Sequence, residues 1–435
     1  MLPGPRSQFH CFAQLGSGHL VPGTRTLLSR HMLVNPMALQ VEVEVLEEQH
    51  GPHGGLARVL IDRRCALVTP YHRLLCRLQE LTRGSGRHGS TGHGVGRAAL
   101  EAARADLPAG HPGVVRAGDA VDTGAGTAVL RAKLEYHVQQ MQREAEALLA
   151  EYEARADAQA TALDDARQLL AATVARDTVD RLHEYYTSFF GNVRDNVVDD
   201  TAVLQATLAA GQSIVFEGAQ GVLLDPRYGW NPHVTKTCCD ATNARALLAD
   251  LPSDLGYELK VLGIARCYGT RHGAGPFVAE QPEHYEFLSM EQHNGRNAWQ
   301  GVWRVGFADL LILKYAVAAC GGPATVDELV VNHLDALRRP DNARACIQYQ
   351  YNADADEPLI GHYFEGVERT ADGYTMTGIK LLPRAADLAQ ALQQDLQLTS
   401  LLTACHPHAY RDSTSSDPHQ VGERARAGGG GGGGG

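Results

Sequence analysis

No CxxC pair, no long uninterrupted apolar run and no excess of basic charge occur in the 435 residues, and each absence removes a class of function. Nine cysteines, an odd number in so long a chain, lack the density of a secreted disulfide scaffold and the spacing of a zinc or redox motif, so reduced thiols are expected. The vicinal pair Cys238-Cys239 is given no role. Acidic residues outnumber basic ones 50 to 39, for a formal charge of −11, which argues against a general nucleic-acid binder. The longest apolar runs, such as Leu310 to Cys320 with Lys314 inside it, are too short for a bilayer, and the N-terminus has no charged-then-apolar signal pattern. A soluble, cytoplasmic protein with neither nucleic-acid nor membrane partners is the expectation.

One absence is more pointed. The stretch FEGAQGVLLDPRYGWNPHVTKT, Phe216 to Thr237, follows an apolar run read as a buried strand, Ser213 to Phe216, and breaks into a glycine turn of the kind that admits an anion. No lysine follows at P-loop spacing, which leaves open whether this is a phosphate loop and, if it is, where the cation of phosphoryl chemistry lies.

The length allows a large core, as one α/β domain with excursions or as two domains. MLPGPRSQFHCFAQLGSGHL is strand-like from the outset, as if the chain began within a domain. An Asn-Pro helix start lies within residues 32 to 49, Arg58 to Thr69 reads as strand, and Pro70 to Arg83 as helix. GRHGSTGHGVG, Gly86 to Gly96, is a glycine-rich loop, and Ala128 to Thr187 has the composition of two or three helices without a sustained heptad. After Gly211, short β-rich runs alternate with glycine turns and helices, as when strands deliver loops to one edge of a parallel sheet. The reading is therefore α/β, a mostly parallel central sheet flanked by helices. The N-terminal part of the α/β domain spans 1–127, a helical excursion 128–205, the remainder of the α/β domain with the ligand loops 206–405, and a tail ending in eight glycines 406–435, expected to be disordered.

Four segments carry candidate chemistry. Gln220 of FEGAQG, at the end of its strand, can donate and accept, and Asp225 and Thr235 follow on the same loop. Taken alone, Gly218 and Gly221 equally make a tight turn with Gln220 as a helix cap. GSTGHGVG offers Ser90 and Thr91 with successive backbone amides. ARCYGTRHGAGPF runs strand into glycine turn with Arg271 available. ELVVNHLDAL ends a strand at Asn332, His333 and Asp335; a carboxylate there can accept from the N1 and amine hydrogens of guanine, or simply cap a helix.

In order and spacing these segments resemble the adenylosuccinate synthetase family. FEGAQGVLLD with Thr235 beyond it is similar to the family's FEGAQG-x-LLD…VT signature, STGHGVG to TTGRGIG, YGTRHGAGPFVAE to YTTRVGAGPFPTE, and NHLDAL to the TKLD guanine motif. AWQGVWRVGFADL resembles the aspartate loop, and the likeness runs from about residue 10 to about 405. The resemblance implies a purine-biosynthesis ligase that uses GTP to phosphorylate the 6-oxygen of inosine monophosphate (IMP) and lets the amino group of L-aspartate displace that phosphate. It implies that Ser90, Thr91, Gln220 and Thr235 hold IMP, that Arg304 contacts aspartate and nucleotide phosphate, that Asn332, His333 and Asp335 hold GTP, and that the protein is a homodimer using Mg²⁺.

Departures qualify that map. The family's GDEGKGK and GGHNAGH motifs, with the acid/base Asp, the catalytic His and the Mg²⁺ ligand, fall upstream of what this chain contains, so no catalytic residue and no metal ligand is assigned. The chain is read as N-terminally incomplete and inactive as it stands. Where the family has TTGRRRR this chain has WQGVWRV, leaving Arg304 of an arginine cluster. The arginine of TTGRGIG is His93, the arginine donated across the family's dimer has no clear counterpart near Ala105, and the lysine of TKLD is His333. A ligase for a different amine or nucleotide, and a catalytically dead nucleotide-binding protein, are the alternatives.

Overall fold

The computed structural model describes residues 10–104, 112–122, 125–155, 160–175, 178–277, 279–282 and 299–333, and the strands at 345–348, 367–370, 373–376, 380–382 and 401–403. In the first segment the expected early strand is replaced by a turn. Gly16 and Gly18 let the chain close on itself, His19 N–H to the Gly16 carbonyl at 2.9 Å, and Ser17–Leu20 is a short 3₁₀ helix. The first strand is β1, Thr26–Leu28, followed by β2, Leu33–Val34.

Helix α1, Pro36–His50, starts where the Asn-Pro signal places it: the Asn35 side chain accepts from Ala38 N–H at 3.2 Å, Pro36 occupies the first turn, and Gly51 ends the helix at φ +83°. Strands β3, Val59–Asp62, and β4, Ala66–Leu67, lead into α2, Pro70–Thr82, capped reciprocally by Thr69 and His72. After the glycine loop come α3, Val95–Ala102, and the helices read from composition: α4, Ala125–Glu153, α5, Ala160–Thr173, and α6, Thr178–Asn192. Strand β5, Val197–Val198, and α7, Asp200–Ala209, follow, the latter capped by Asp199 on Thr201 and Ala202 N–H.

Strands β1, β3 and β5 are parallel, Thr26 facing Val59 and Ile61 facing Val197, and β2 pairs parallel with β4. Their apolar side chains join those of α1, α2, α4 and α6 in one core, where Tyr71, Leu74, Tyr186 and Phe190 are fully enclosed. Burial on this scale is the main stabilising term for such a domain.

Beyond α7 the chain differs from expectation. Ser213 to Phe216 has the sequence pattern of a buried strand. It is extended, with Ile214 and Phe216 packed against Leu204, Leu247, Leu248 and Leu251, but Val215 between them is 89% exposed and no ladder is formed there among the described residues. The alternation is that of a strand with one face covered and its hydrogen-bonding edge unfilled. After α8, Thr242–Ala249, come β6, Leu262–Arg266, β7, Tyr268–His272, β8, Trp303–Asp309, α9, Leu310–Ala319, and β9, Glu328–Asn332. The remaining described strands are β10, Ala345–Gln348, β11, Val367–Thr370, β12, Gly373–Met376, β13, Lys380–Leu382, and β14, Leu401–Thr403. A second parallel sheet has the order β14-β9-β6, with β6 at its edge, while β7 and β8 pair antiparallel and β8 continues through β10 to β13. The fold is α/β, with parallel sheets flanked by helices. The glycine-rich tail lies outside the described residues.

Candidate functional site

The loop Gly86–Gly96 rests directly on α2. Gly94 has φ +84°, and a Cβ there would lie 2.5 Å from the Arg73 backbone nitrogen, so only glycine permits this approach. Gly92 is covered by the Trp299 ring, whose Cγ a Cβ would meet at 2.7 Å. Ser90 Oγ lies 3.3 Å from Cys76 Sγ, while Thr91 is exposed. On the other side, Gly89 packs on the backbone at Ala274 and Gly96 on the Lys236 side chain, one residue from Thr235. His88 and His233 stand ring to ring at 6.1 Å. The loops at 86–96, 231–237, 271–277 and 299–304 therefore share one region, and Thr91 and Thr235 lie on adjoining parts of it.

Gln220 belongs to the neighbouring segment. Its carboxamide oxygen is 3.6 Å from Cys239 Sγ, and its backbone has φ +67°. Glu217 of the same motif accepts from Ser17 N–H at 2.9 Å and Ser17 Oγ at 2.8 Å, tying FEGAQG to LGSGHL. Thr235 is fixed by its N–H to the Leu224 carbonyl at 2.7 Å, with its hydroxyl 3.3 Å from that of Thr237. Asp225, fully buried, is committed to structure: it accepts from Arg227 Nε at 3.0 Å and from Cys239 N–H at 2.8 Å. Burial would raise its carboxyl, but the Arg227 guanidinium outweighs this and holds it below the usual range.

Arg271 is buried beneath Gly275 and donates to the carbonyls of Ala274 at 2.9 Å and His233 at 3.0 Å. Burial, reinforced by the neighbouring charge of Arg304, pushes its guanidinium down to about 10. Arg304 meets Glu280 in an ion pair, with Nε to Oε1 at 2.7 Å, donates to the Gly273 and Gly275 carbonyls at 3.0 and 2.8 Å, and lies over Phe277. Arg304, expected from the sequence to face ligand, is thus engaged by Glu280, a partner that the sequence pattern does not reveal. Gly306 opposite allows that arrangement, because a Cβ there would meet the Ala279 carbonyl carbon at 2.6 Å.

Asn332 ends β9 opposite Arg266 of β6. His333 follows at φ +62°, buried, with its carbonyl accepting from Cys267 Sγ at 2.8 Å and its ring edge-on to Tyr268 at 5.6 Å. Strand β7 thus runs from the Asn332–His333 end to the Arg271–Gly275 turn, and its five residues span roughly 13 Å at about 3.3 Å per step. Asp335 lies outside the described residues. Gln220 and His333 are the two non-glycine residues with left-handed backbone among those described, and both are candidates selected from sequence. Such backbone costs about 1–3 kcal/mol and concentrates at functional sites.

Among the described residues three side-chain clusters have ligand-like spacing for a metal, and none of the three suits Mg²⁺. Asp62, Asp199 and Asp200 already hold Arg64, with Arg30 on Asp200, and Asp225 and Asp240 hold Arg227. In the third cluster Thr69 N–H donates to His72 Nδ1 at 3.0 Å, so Nε2 carries the proton and donates to Glu101 at 2.7 Å. A guanidinium or an N–H stands where a cation would need a lone pair. The vicinal thiols are likewise quiet: burial, then Asp225, pushes Cys239 up to about 12, and burial, then Asp240, raises Cys238.

The fold is that of an α/β enzyme, and its glycine turns gather where strands end. The adenylosuccinate synthetase family profile matches residues 6–399, and the chain belongs to that family, whose members are C–N ligases of purine biosynthesis. It is 29% identical over 343 residues to the adenylosuccinate synthetase of Thermobifida fusca (strain YX), covering 77% of this chain and 68% of that protein. It is 27% identical over 408 residues to the enzyme of Desulfitobacterium hafniense (strain Y51), covering 90% and 84%. The fold matches that of a fully ligated adenylosuccinate synthetase from Plasmodium falciparum with a TM-score of 0.62 at 17% identity, over 90% of this chain and 84% of that one.

Proposed function

We propose that the chain binds IMP at Ser90, Thr91, Gln220 and Thr235 and a guanine nucleotide at Asn332, His333 and Asp335. These are the sites of a GTP-dependent condensation of IMP with L-aspartate to adenylosuccinate, the ligase step toward AMP. The observation that carries this reading is the left-handed backbone at both Gln220 and His333, the anchor residues of the two ends. The spacing along β7 supports it, since one end faces the glycine loops and the other the base-reading strand.

The chemistry is a phosphoryl transfer followed by a substitution. The γ-phosphoryl group of GTP passes to the 6-oxygen of IMP, GDP leaves, and the aspartate nitrogen then bonds to C6 as the C–O bond to phosphate breaks. Arg304 would hold aspartate carboxylate or nucleotide phosphate by exchanging Glu280 for the ligand. Mg²⁺ would supply charge neutralisation at the phosphates, but the described residues offer it no fitting site, and no step is assigned to it. The 435 residues hold no counterpart of the family's acid/base Asp and His, so this chain alone is proposed to bind nucleotides without turnover. Cytoplasmic location and a homodimer complete the reading.

Calorimetry with IMP, together with chromatographic detection of GDP and adenylosuccinate, tests it: IMP binding without adenylosuccinate is expected, and absence of any purine monophosphate binding would sink it. A second reading, a ligase for a different amine or nucleotide, is favoured by Trp299, Gln300, Val302 and Trp303 in the aspartate loop and by the engagement of Arg304 with Glu280. Formation of a product from another amine or purine monophosphate, but not from aspartate and IMP, would select it.

A further inference from the structure

The glycine loop lacks a lysine of its own, yet two cations lie against it. Arg73 and Arg77 sit four residues apart on α2, hence on one face of that helix. Arg77 Nε donates to the Gly92 carbonyl at 3.2 Å, and its guanidinium stacks over the Trp299 ring at 5.0 Å. Arg73 is exposed beside Gly94, which rests on its backbone. Among the described residues neither side chain has a carboxylate partner, in contrast to Arg30, Arg64, Arg97, Arg227 and Arg304. Both charges bear on His93, and Arg73 on Arg77: burial first, and then each neighbouring guanidinium, pushes His93 and Arg77 down. Two arginines gathered on one helix face, Arg77 half-buried and Arg73 exposed, with no carboxylate beside them among the described residues, are stabilised by an anion that the chain does not itself supply. The start of α3 adds its backbone amides from the loop side, and Lys236 packs at Gly96.

We propose that Arg73 and Arg77 seat the 5′-phosphate of the mononucleotide at Thr91, so that α2, rather than the glycine loop, supplies the cations. The proposal rests on reading that loop as the nucleotide's seat. Arg73 binds in the open, and Arg77, held by Trp299 and the Gly92 carbonyl, presents its remaining N–H groups in a fixed orientation suited to a phosphate.

The test is calorimetry on the full chain with IMP, inosine and inorganic pyrophosphate, for the parent, R73Q, R77Q and the double lysine variant R73K/R77K. The expected result is a ten- to hundred-fold loss of IMP affinity in each glutamine variant, no change for inosine, and partial recovery with lysine. Equal IMP affinity in parent and R73Q would overturn the proposal while leaving the functional reading intact. If the parent binds no purine monophosphate, the functional reading fails. The arginine pair then stands as an anion site only if pyrophosphate binds the parent and not R73Q, and falls otherwise. Exposed Arg73 keeps the test decisive should R77Q disturb the stack on Trp299.

Discussion

Around Tyr71 and Phe190 the side chains of Leu74, Leu75, Leu78 and Tyr186 are at most 1% exposed, whereas at Val215, Leu262 and Ile264, on extended chain of similar composition, the side chains are 89%, 50% and 65% exposed. The first region is closed by helices on its strands; the second presents the edge strand β6 and an extended segment with no ladder among the described residues. An apolar alternating stretch therefore specifies a strand conformation, but its burial depends on a neighbour that the stretch itself does not encode. The candidate ligand loops belong mainly to the less enclosed region, and Gly86–Gly96 joins it to the closed one.

The sharpest way to break this contrast is to open the closed core. Phe190→Ala, at a site with no exposure, is expected to cost about 3–5 kcal/mol, measured as a fall in the urea midpoint at unchanged slope. Gly94→Ala forces a side chain into left-handed backbone against α2 and is expected to cost about 1–3 kcal/mol and to weaken IMP binding, read by thermal melts and calorimetry.

Acid should act on the closed region as well. His72 is buried and held below its ordinary value of 6.5, with Glu101 opposing, so it resists a proton that the unfolded chain accepts. Burial alone would raise Glu101, but His137 and His72 hold it well below the carboxylate range. The histidine contribution is complete above pH 6.5 and fades as pH falls through that value; the carboxylate contribution is present above its ordinary pKa of 4.5 and fades below it. Urea midpoints measured from pH 8 to pH 4 should therefore fall toward acid, and Glu101→Gln should remove the lower limb of that fall. A midpoint that rises toward pH 5 would refute the assignment. The smallest effect is expected from Val215→Ser, within about 0.5 kcal/mol, because the side chain is already in water. A loss above 2 kcal/mol there would mean that the open edge is covered in solution.

What was legible in the sequence was local. Asn35-Pro36 and Thr69-Pro70 start helices because capping is settled within a few residues, and the glycines of GSTGHGVG and GAGPF mark close approaches because only glycine tolerates them. The left-handed turn at Gln220 is not legible in FEGAQG, although the amide itself marks Gln220 as a candidate. What required tertiary structure was the partner: Glu280 on Arg304, Ser17 on Glu217, and the placement of α2 beneath the loop that makes Arg73 and Arg77 relevant. Arginines spaced by four on the helix preceding a glycine loop were the one available signal.

Gly94 has one further consequence. Since the loop lies on the α2 backbone without an intervening side chain, and α2 packs along α4, an occupant of the loop is mechanically continuous with the long helices. A small molecule at the surface would then be registered as added heat tolerance of the entire helical layer, so a simple dye-melt screen of phosphorylated metabolites reports on a seat far from the hydrophobic centre.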